Sequence, residues 1–319
     1  MAFMFEGLTF AVLALCAATM GFAIQRGATC TVAAVEEVIA RRGATRLAAL
    51  IEASLWVAGG LLLARRLGWV GQLPIGYALN SWTLVGAALL GIGAFVAGAC
   101  VFGAIARLGS GNWAHAATPL GFYLGCVSVD RVFAPSARPS LDAGALGSHA
   151  PAAIFWLACA YAVWRGAGFV ADRRQRPGAS AAPLWSPRAA TIVIGLAFLV
   201  MLVLAGPWAY TDVLADLAQG MARGVGTRML LFACLLGGAI AGGWTAGRLR
   251  TAPIPATAVL RCLAGGTLMG WGSQLIPGGN DGLILVGMPL LRPYAWAAFA
   301  TMCLTIGLAT IAQRRLALA

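Results

Sequence analysis

The stretch Gly91-Ile-Gly-Ala-Phe-Val-Ala-Gly-Ala-Cys100-Val-Phe-Gly103 ends a long apolar run and places a cysteine among closely spaced glycines. Glycine at this density inside an apolar segment permits close helix approach and broken helices. A second stretch, Gly270-Trp-Gly-Ser-Gln-Leu-Ile-Pro-Gly-Gly-Asn-Asp-Gly282, ends a later apolar run in the same way. Both stretches therefore predict a helix that breaks at membrane depth and is followed by a short half-helix.

The composition around these stretches is that of a membrane protein. The chain has 319 residues, of which 61 % are hydrophobic and 10 % charged, and its mean hydropathy is +0.85. An ordinary soluble domain carries about 25 % charged residues, so this class is excluded. Disorder and nucleic-acid binding are poor explanations of the net charge of +12 in such an apolar chain.

The apolar runs predict an all-α polytopic membrane protein with about nine transmembrane helices, since one span needs about 20 apolar residues. Four segments are too short or too mixed to cross the membrane and are predicted to be re-entrant half-helices. The N-terminus shows no pattern of a cleavable signal peptide. The predicted spans are 7–25, 45–64, 82–99, 112–128, 152–170, 189–207, 227–246, 257–276 and 293–312, and the half-helices are 30–41, 100–109, 211–222 and 280–289.

The arginines indicate the orientation of these spans. All 22 basic residues are Arg, and 15 of them fall on one side of the predicted membrane against seven on the other. The positive-inside rule places the richer side in the cytoplasm. The N-terminus is then periplasmic, the C-terminus is cytoplasmic, and the polar segment 172–188 is a cytoplasmic linker. The arginine-rich side holds segments 26–46, 100–111, 165–188, 247–261 and 313–319.

The two halves of the chain resemble each other. Thr45-Arg46 and Thr227-Arg228 each open a span after a short segment, at an offset of 182 residues, and the two glycine-rich stretches repeat at an offset of 179. We expect a first repeat with its connecting span in 1–171 and an inverted second repeat in 189–319, an arrangement typical of secondary transporters. The alternative is a chance likeness between glycine-rich helices.

Half-helices that begin at a cavity favour an anion there, because their N-terminal dipole ends are positive.

Two of the eight cysteines stand at predicted breaks. Cys30 and Cys100 each lie between a span and the half-helix that follows, where a neutral S–H, a weak donor on a polarizable sulfur, suits a soft sulfur-containing anion. The alternative is that both are small packing residues. The cysteines show no spacing of a disulfide framework or zinc site, and the sequence predicts no cofactor, metal or catalytic residue. We expect the other six to be packing residues: Cys16, Cys126, Cys159, Cys234, Cys262 and Cys303.

The runs Gly21-Phe-Ala-Ile-Gln-Arg-Gly-Ala-Thr-Cys30 and Gly91-Ile-Gly-Ala-Phe-Val-Ala-Gly-Ala-Cys100-Val-Phe-Gly-Ala-Ile-Ala-Arg-Leu-Gly-Ser-Gly-Asn112 resemble the two cysteine-bearing signatures of the YeeE/YedE sulfur-transport family, the thiosulfate permeases. The resemblance covers nearly the whole chain. It implies a bacterial inner-membrane protein that takes up thiosulfate or a related sulfur anion by passing it between cysteine thiols. Cys30 and Cys100 match two cysteines of this family.

The chain departs from the family at the third cysteine. Gly279 stands where the family has a cysteine in the second half, in Ile276-Pro-Gly-Gly-Asn-Asp-Gly282. Gly279 offers its backbone N–H, and Asn280 or Asp281 is expected to contact the substrate or cap the next half-helix. For Asp281 we favour the cap, and the alternative is a protonatable group that couples transport to H⁺.

Two further charged residues have predicted roles. Arg107 follows the half-helix that begins at Cys100, so it either attracts an anion at the cytoplasmic mouth or serves as a C-terminal helix partner. Asp212 aligns with Cys30 in the second half and is expected to be an exposed N-cap. Glu52 and Gln274 are expected to hydrogen-bond between helices.

The leading functional hypothesis is a non-enzymatic permease for thiosulfate or a related sulfur-containing anion, contacted by Cys30 and Cys100. The chain has no nucleotide-binding loop, so transport driven by ATP on this chain alone is not expected. The alternative class is a membrane sulfur-relay or redox protein that forms a persulfide on Cys30 for a cytosolic sulfurtransferase, or a sensor subunit for sulfur anions. Besides the sulfur-containing anion and the cytosolic sulfurtransferase, the expected partner is the lipid bilayer.

Overall fold

The computed structural model is an all-α protein in which four short helices are interspersed among long ones. It describes residues 2–70, 73–133, 140–141, 156, 160–161, 163–168, 171, 184–221, 224–251 and 253–317. The long helices are α1 (Ala2–Arg26), α3 (Thr45–Arg66), α4 (Ser81–Ala97), α6 (Ala117–Phe133), α7 (Pro187–Ala205), α9 (Val225–Thr245), α10 (Ala256–Leu275) and α12 (Pro293–Leu316). The short ones are α2 (Thr31–Arg41), α5 (Val101–Gly109), α8 (Tyr210–Ala218) and α11 (Asn280–Gly282).

Three small elements complete the described chain. A 3₁₀ turn, Trp113–Ala116, precedes α6, so this helix begins later than the predicted residue 112. A π-helical turn, Leu283–Gly287, continues α11. The sequence predicted no strand, yet β1 (Gly76–Tyr77) pairs antiparallel with β2 (Ser140–Leu141).

Six helical segments of the described chain are long and apolar enough to cross a membrane. They contain α1 with α2, α3, α4 with α5, α7, α9 and α12. Two other predicted spans correspond to α6, which has 17 residues, and α10, which has 20 residues but carries Arg261, Ser273 and Gln274. Polar residues of a membrane helix face the interior of the bundle, and Ser273 and Gln274 are buried in α10, which packs against both α4 and α6, whereas Arg261 is exposed near its start. The predicted span 152–170 and linker 172–188 lie largely outside the described residues.

Glycines let α4 and α10 cross with their backbones almost in contact. A Cβ atom added at Gly86 would lie 2.7 Å from the carbonyl oxygen of Gly272, and one added at Gly272 would lie 2.5 Å from that of Gly86. Gly93 and Gly265 form a second pair, in which each added Cβ would lie 2.5 Å from the other carbonyl oxygen. Packing of this closeness, rather than hydrophobic burial, holds helices together in lipid.

Ion pairs connect the ends of several helices. Glu52 of α3 accepts a hydrogen bond from Arg165 Nε at 2.7 Å, and its second oxygen lies 3.9 Å from Arg188 Nε. The expected interhelical role of Glu52 is thus confirmed. Arg46, at the start of α3, lies 3.6 Å from Glu37 of α2.

The second half contains a similar pair. Arg228, at the start of α9, pairs with Asp216 of α8. In both halves, therefore, an acidic residue of a short helix pairs with an arginine in the first turns of the long helix that follows.

The adjacent glycines of α9 provide a test of this packing. Gly238 lies against the backbone of Ala18 in α1, whereas a Cβ atom at Gly237 would meet nothing within 4 Å. We expect Gly238→Leu to destabilise the protein by about 1–3 kcal/mol, because overpacking forces the two backbones apart, and Gly237→Leu to have no measurable effect. Melting temperatures in detergent check the pair, and equal values for the two variants would contradict the packing described.

Candidate functional site

The first residues of the four short helices meet at one place inside the protein. Each short helix begins after a residue in extended conformation, and these residues are Cys30, Cys100, Ala209 and Gly279. None of these four residues makes a side-chain cap hydrogen bond. The first N–H groups of a helix have no partner within it, so this arrangement directs four positive helix ends toward one region.

Four hydrogen bonds join the short helices into a closed ring. The backbone N–H of Thr31 in α2 donates to Cys100 Sγ, the N-cap of α5, at 3.1 Å. The Tyr210 hydroxyl of α8 donates to the Val101 carbonyl oxygen of α5 at 2.9 Å.

The other two bonds of the ring involve α11. The Thr211 hydroxyl of α8 lies 2.8 Å from both carboxylate oxygens of Asp281. Asn280 Nδ2 donates to Thr31 Oγ1 at 3.1 Å and closes the ring between α11 and α2. Each short helix thus contacts two others at its N-terminus.

The two cysteine thiols face each other within this ring. Cys100 Sγ lies 3.7 Å from Cys30 Sγ, at the distance of an S–H hydrogen bond. Cys100 is fully buried, whereas Cys30 is partly exposed. Gly103 leaves room for the pair, since a Cβ atom there would lie 2.5 Å from Cys30 Sγ. The structure therefore brings together two thiols that lie 70 residues apart in the sequence.

Asp281 occupies the space in front of Gly279. A Cβ atom added at Gly279 would lie 2.8 Å from Thr211 Oγ1 and closer still to Asp281 Oδ1. The Asp281 side chain is buried and also accepts a hydrogen bond from the Gly282 N–H at 3.0 Å. A carboxylate and a hydroxyl thus lie where a side chain at position 279 would project.

A cavity of about 570 Å³ reaches this place from the side of the protein that holds the C-termini of α3 and α7. We call it the outer cavity. Thr211, Gly279 and Gly282 lie at its wall, together with the carboxylates of Asp212 and Asp216. Among the described residues that line the outer cavity there is no arginine.

A small cleft lies on the opposite side of the ring, next to Cys30. We call it the inner cleft; its wall includes Thr29, Arg46 and Pro187. The outer cavity and the inner cleft share no lining residue. Thr31, Cys100 and Asn280 lie between them and are all fully buried. The structure therefore shows a closed centre with solvent-sized space on either side.

The predicted site residues divide into two groups. Cys30, Cys100, Gly279, Asn280 and Asp281 all lie at the ring. Arg107 does not: it is exposed at the far end of α5, and its Nη2 donates to the Gly98 carbonyl oxygen at 2.9 Å.

Two expectations about caps were wrong. Asp212 is half-buried in the first turn of α8, whose N-cap is Ala209, and faces the outer cavity. The N-cap of α11 is Gly279, and Asp281 lies two residues further on.

Sequence reasoning missed three residues of the ring: Thr31, Tyr210 and Thr211. Thr31 stands next to a singled-out cysteine, and Thr211 stands 182 residues after Thr29, so the repeat offset was an available signal for Thr211. Nothing in the sequence around Tyr210 indicates its bond to α5. Among the described residues, no group of three His, Cys, Asp or Glu side chains is placed to hold a metal ion.

The comparisons with known proteins agree with a role in sulfur transport. The sulphur transport family matches residues 26–308, which is most of the chain and includes all four short helices. No curated protein is similar to the chain at a significant level. The family match and the membrane-length helices together show that this chain belongs to the sulphur transport, or YeeE/YedE, family of multi-pass membrane proteins.

Proposed function

We propose that the protein is a non-enzymatic permease for the uptake of thiosulfate or a related small sulfur-containing anion, and that the substrate passes through the ring of short helices. The observation that carries the proposal is the convergence of four helix N-termini on the Cys30–Cys100 pair. Membership of the sulphur transport family agrees with it.

The electrostatics of the ring favour an anion. The N-terminus of a helix is equivalent to about half a positive charge, and free N–H groups there bind anions directly. The two thiols add a polarizable, weakly donating surface. A sulfur atom that replaces Cys30 as the partner of Cys100 would keep the hydrogen bond that Cys100 already makes.

The path that we propose runs from the outer cavity through the ring to the inner cleft. The substrate first meets Gly279 and Asn280 at the start of α11 and then Cys100 and Cys30. Arg46 borders the inner cleft and offers the anion a positive charge at the exit. Arg107 acts further out, as an attractive charge at the cytoplasmic mouth.

We further propose that this path lies at the interface of two inverted repeats, 1–171 and 189–319, joined by a cytoplasmic linker at 172–188 and containing nine spans in all. The close pairs between α4 and α10 support the repeat. The repeat offset of 179 residues relates Gly86 to Gly265 and Gly93 to Gly272. The pair Gly86–Gly272 is therefore the counterpart, in the other repeat, of the pair Gly93–Gly265. The matching ion pairs of Arg46 and Arg228 support it as well. Repeats of this kind permit alternating access by rocking about a fixed site.

The thiol contacts are tested by uptake into proteoliposomes. We expect Cys100→Ala to lower the initial rate of labelled thiosulfate uptake about ten- to a hundredfold, because the variant loses one hydrogen bond to a charged ligand. Cys16→Ala, a change of a partly exposed cysteine within α1, is the matched control and should retain the wild-type rate. Normal uptake by the double variant Cys30→Ala/Cys100→Ala would contradict the thiol contacts.

The same preparation separates a permease from a sulfur relay. A relay predicts that the Cys30 thiolate attacks the outer sulfur of thiosulfate, that the S–S bond of thiosulfate breaks with release of sulfite, and that a persulfide on Cys30 is detectable by mass spectrometry without net flux into the vesicles. A permease predicts flux and an unmodified Cys30. Growth of an uptake-deficient bacterium on a panel of sulfur and selenium anions then identifies the substrate.

The inverted arrangement is tested by amine labelling, because the chain contains no lysine. Arg42, after α2, and Met221, after α8, are both exposed. We expect a membrane-impermeant amine reagent to modify Met221→Lys in intact spheroplasts and to reach Arg42→Lys only after the membrane is opened. The unmodified parent, whose only amine is the N-terminus, sets the background. Labelling of both lysines from the same side would contradict inversion, and labelling of Arg42→Lys in intact spheroplasts would contradict the periplasmic N-terminus.

A further inference from the structure

A path that only attracts an anion does not explain the carboxyl group of Asp281. It is buried at the ring, where the outer cavity ends, and a negative charge there repels the substrate that the four helix ends attract. No arginine of the described chain lies within ion-pair distance of it. When the anion also occupies the ring, a carboxylate would be a second buried negative charge without an arginine to compensate it, which is unfavourable, so the neutral form of the carboxyl group has to be considered.

The contacts of Asp281 suit both protonation states. The Thr211 hydroxyl lies 2.8 Å from Oδ1 and from Oδ2, and it can donate to a carboxylate or accept from a carboxylic acid. The Gly282 N–H donates to Oδ1 in either state. Thr211 and Gly279 line the outer cavity, so water in that space reaches the immediate surroundings of the carboxyl group.

Building on the proposed function, we propose that Asp281 is the proton-binding group of the transporter and that one proton enters with each sulfur anion. Asp281 takes up H⁺ from the outer cavity and becomes a neutral carboxylic acid. The anion then reaches Cys100 and Cys30 without opposition from a carboxylate. After access changes to the inner cleft, the anion and the proton leave on that side, and Asp281 is again a carboxylate.

The geometry at Gly279, where the resemblance predicts a cysteine, agrees with this role. A cysteine side chain at position 279 would occupy the space that Asp281 Oδ1 and Thr211 Oγ1 fill. A thiol in that space can pass an anion along a row of thiols, whereas a carboxyl group can do so only when it is protonated. The chain thus exchanges one thiol contact for a step that depends on protons.

Other titratable groups face Asp281, and the test has to separate them. Tyr210 and Asp212 come from α8, and Cys100 comes from the start of α5. Cys30 lies beyond Cys100, and Tyr294 of α12 faces the same cavity. Asp216 stands behind Asp212 but is already paired with Arg228.

The experiment measures labelled thiosulfate accumulation and internal pH together in proteoliposomes with the membrane potential clamped at zero. With the outer solution one pH unit more acidic, the wild-type protein should accumulate thiosulfate about tenfold and acidify the lumen, because one pH unit is a factor of ten in proton activity. Asp281→Asn should carry thiosulfate only to equal concentrations, at a rate independent of pH and without acidification. Asp130→Asn, a change of an exposed carboxylate of α6, is the matched control and should keep the wild-type accumulation.

Several outcomes would overturn the proposal. Thiosulfate flux in the wild type without acidification, or equal accumulation in Asp281→Asn and the wild type, would remove proton coupling while leaving the permease intact. Loss of coupling in Asp212→Asn but not in Asp281→Asn would show that Asp212, and not Asp281, binds the proton. Absence of flux for every sulfur anion tested would instead contradict the proposed function itself.

A second variant covers the case in which Asp281→Asn does not fold. Thr211→Val keeps the side-chain shape and removes the hydroxyl that contacts both carboxylate oxygens, whereas Thr211→Ser keeps the hydroxyl. We expect Thr211→Val to displace the pH of half-maximal uptake and Thr211→Ser to leave it near the wild-type value. An identical pH profile in all three proteins would contradict a proton-binding role for Asp281.

Discussion

The convergence of four helix N-termini on one buried point is the constraint on which the rest of this structure depends. A membrane interior contains no water that could hydrogen-bond to the backbone groups left unpaired where a helix breaks. Irregular backbone is therefore found there only where protein encloses it or a cavity adjoins it. Here the extended residues before α2, α5, α8 and α11 are enclosed by one another, through a ring of four hydrogen bonds. The ring therefore stabilises the breaks and at the same time creates a place where a negative charge is favoured.

The ring constrains how the long helices pack against one another. The short helices can meet only if the helices that precede them pass close to one another, and the glycines of α4 and α10 bring two of these helices to backbone contact. The same close packing makes α10 a central helix, which explains how it tolerates Ser273 and Gln274 on its buried face. Ion pairs then hold two of the short helices, α2 and α8, to the long helices that follow them.

The two halves of the ring are chemically unequal. One half contributes a pair of thiols 3.7 Å apart, and the other contributes a carboxyl group, a hydroxyl and an amide. On the path that we propose, a substrate would pass from oxygen and nitrogen ligands to sulfur ligands. Position 279, where the resemblance predicts a cysteine, is a glycine, and Asp281 and Thr211 fill the space that a side chain there would occupy.

The sequence by itself determined the class of the protein, the segments that are helical and the two cysteines at helix breaks, because apolar runs, glycine clusters and Cys30 and Cys100 are local features. It also favoured a cap for Asp281 and an exposed position for Asp212, since it contains no information on which groups approach from other helices. Only the tertiary structure decided that Thr31, Tyr210 and Thr211 join the site and that Arg107 lies outside it. The physical reason is that the ring consists of contacts between residues as much as 249 positions apart, formed where helix ends meet rather than along any one segment.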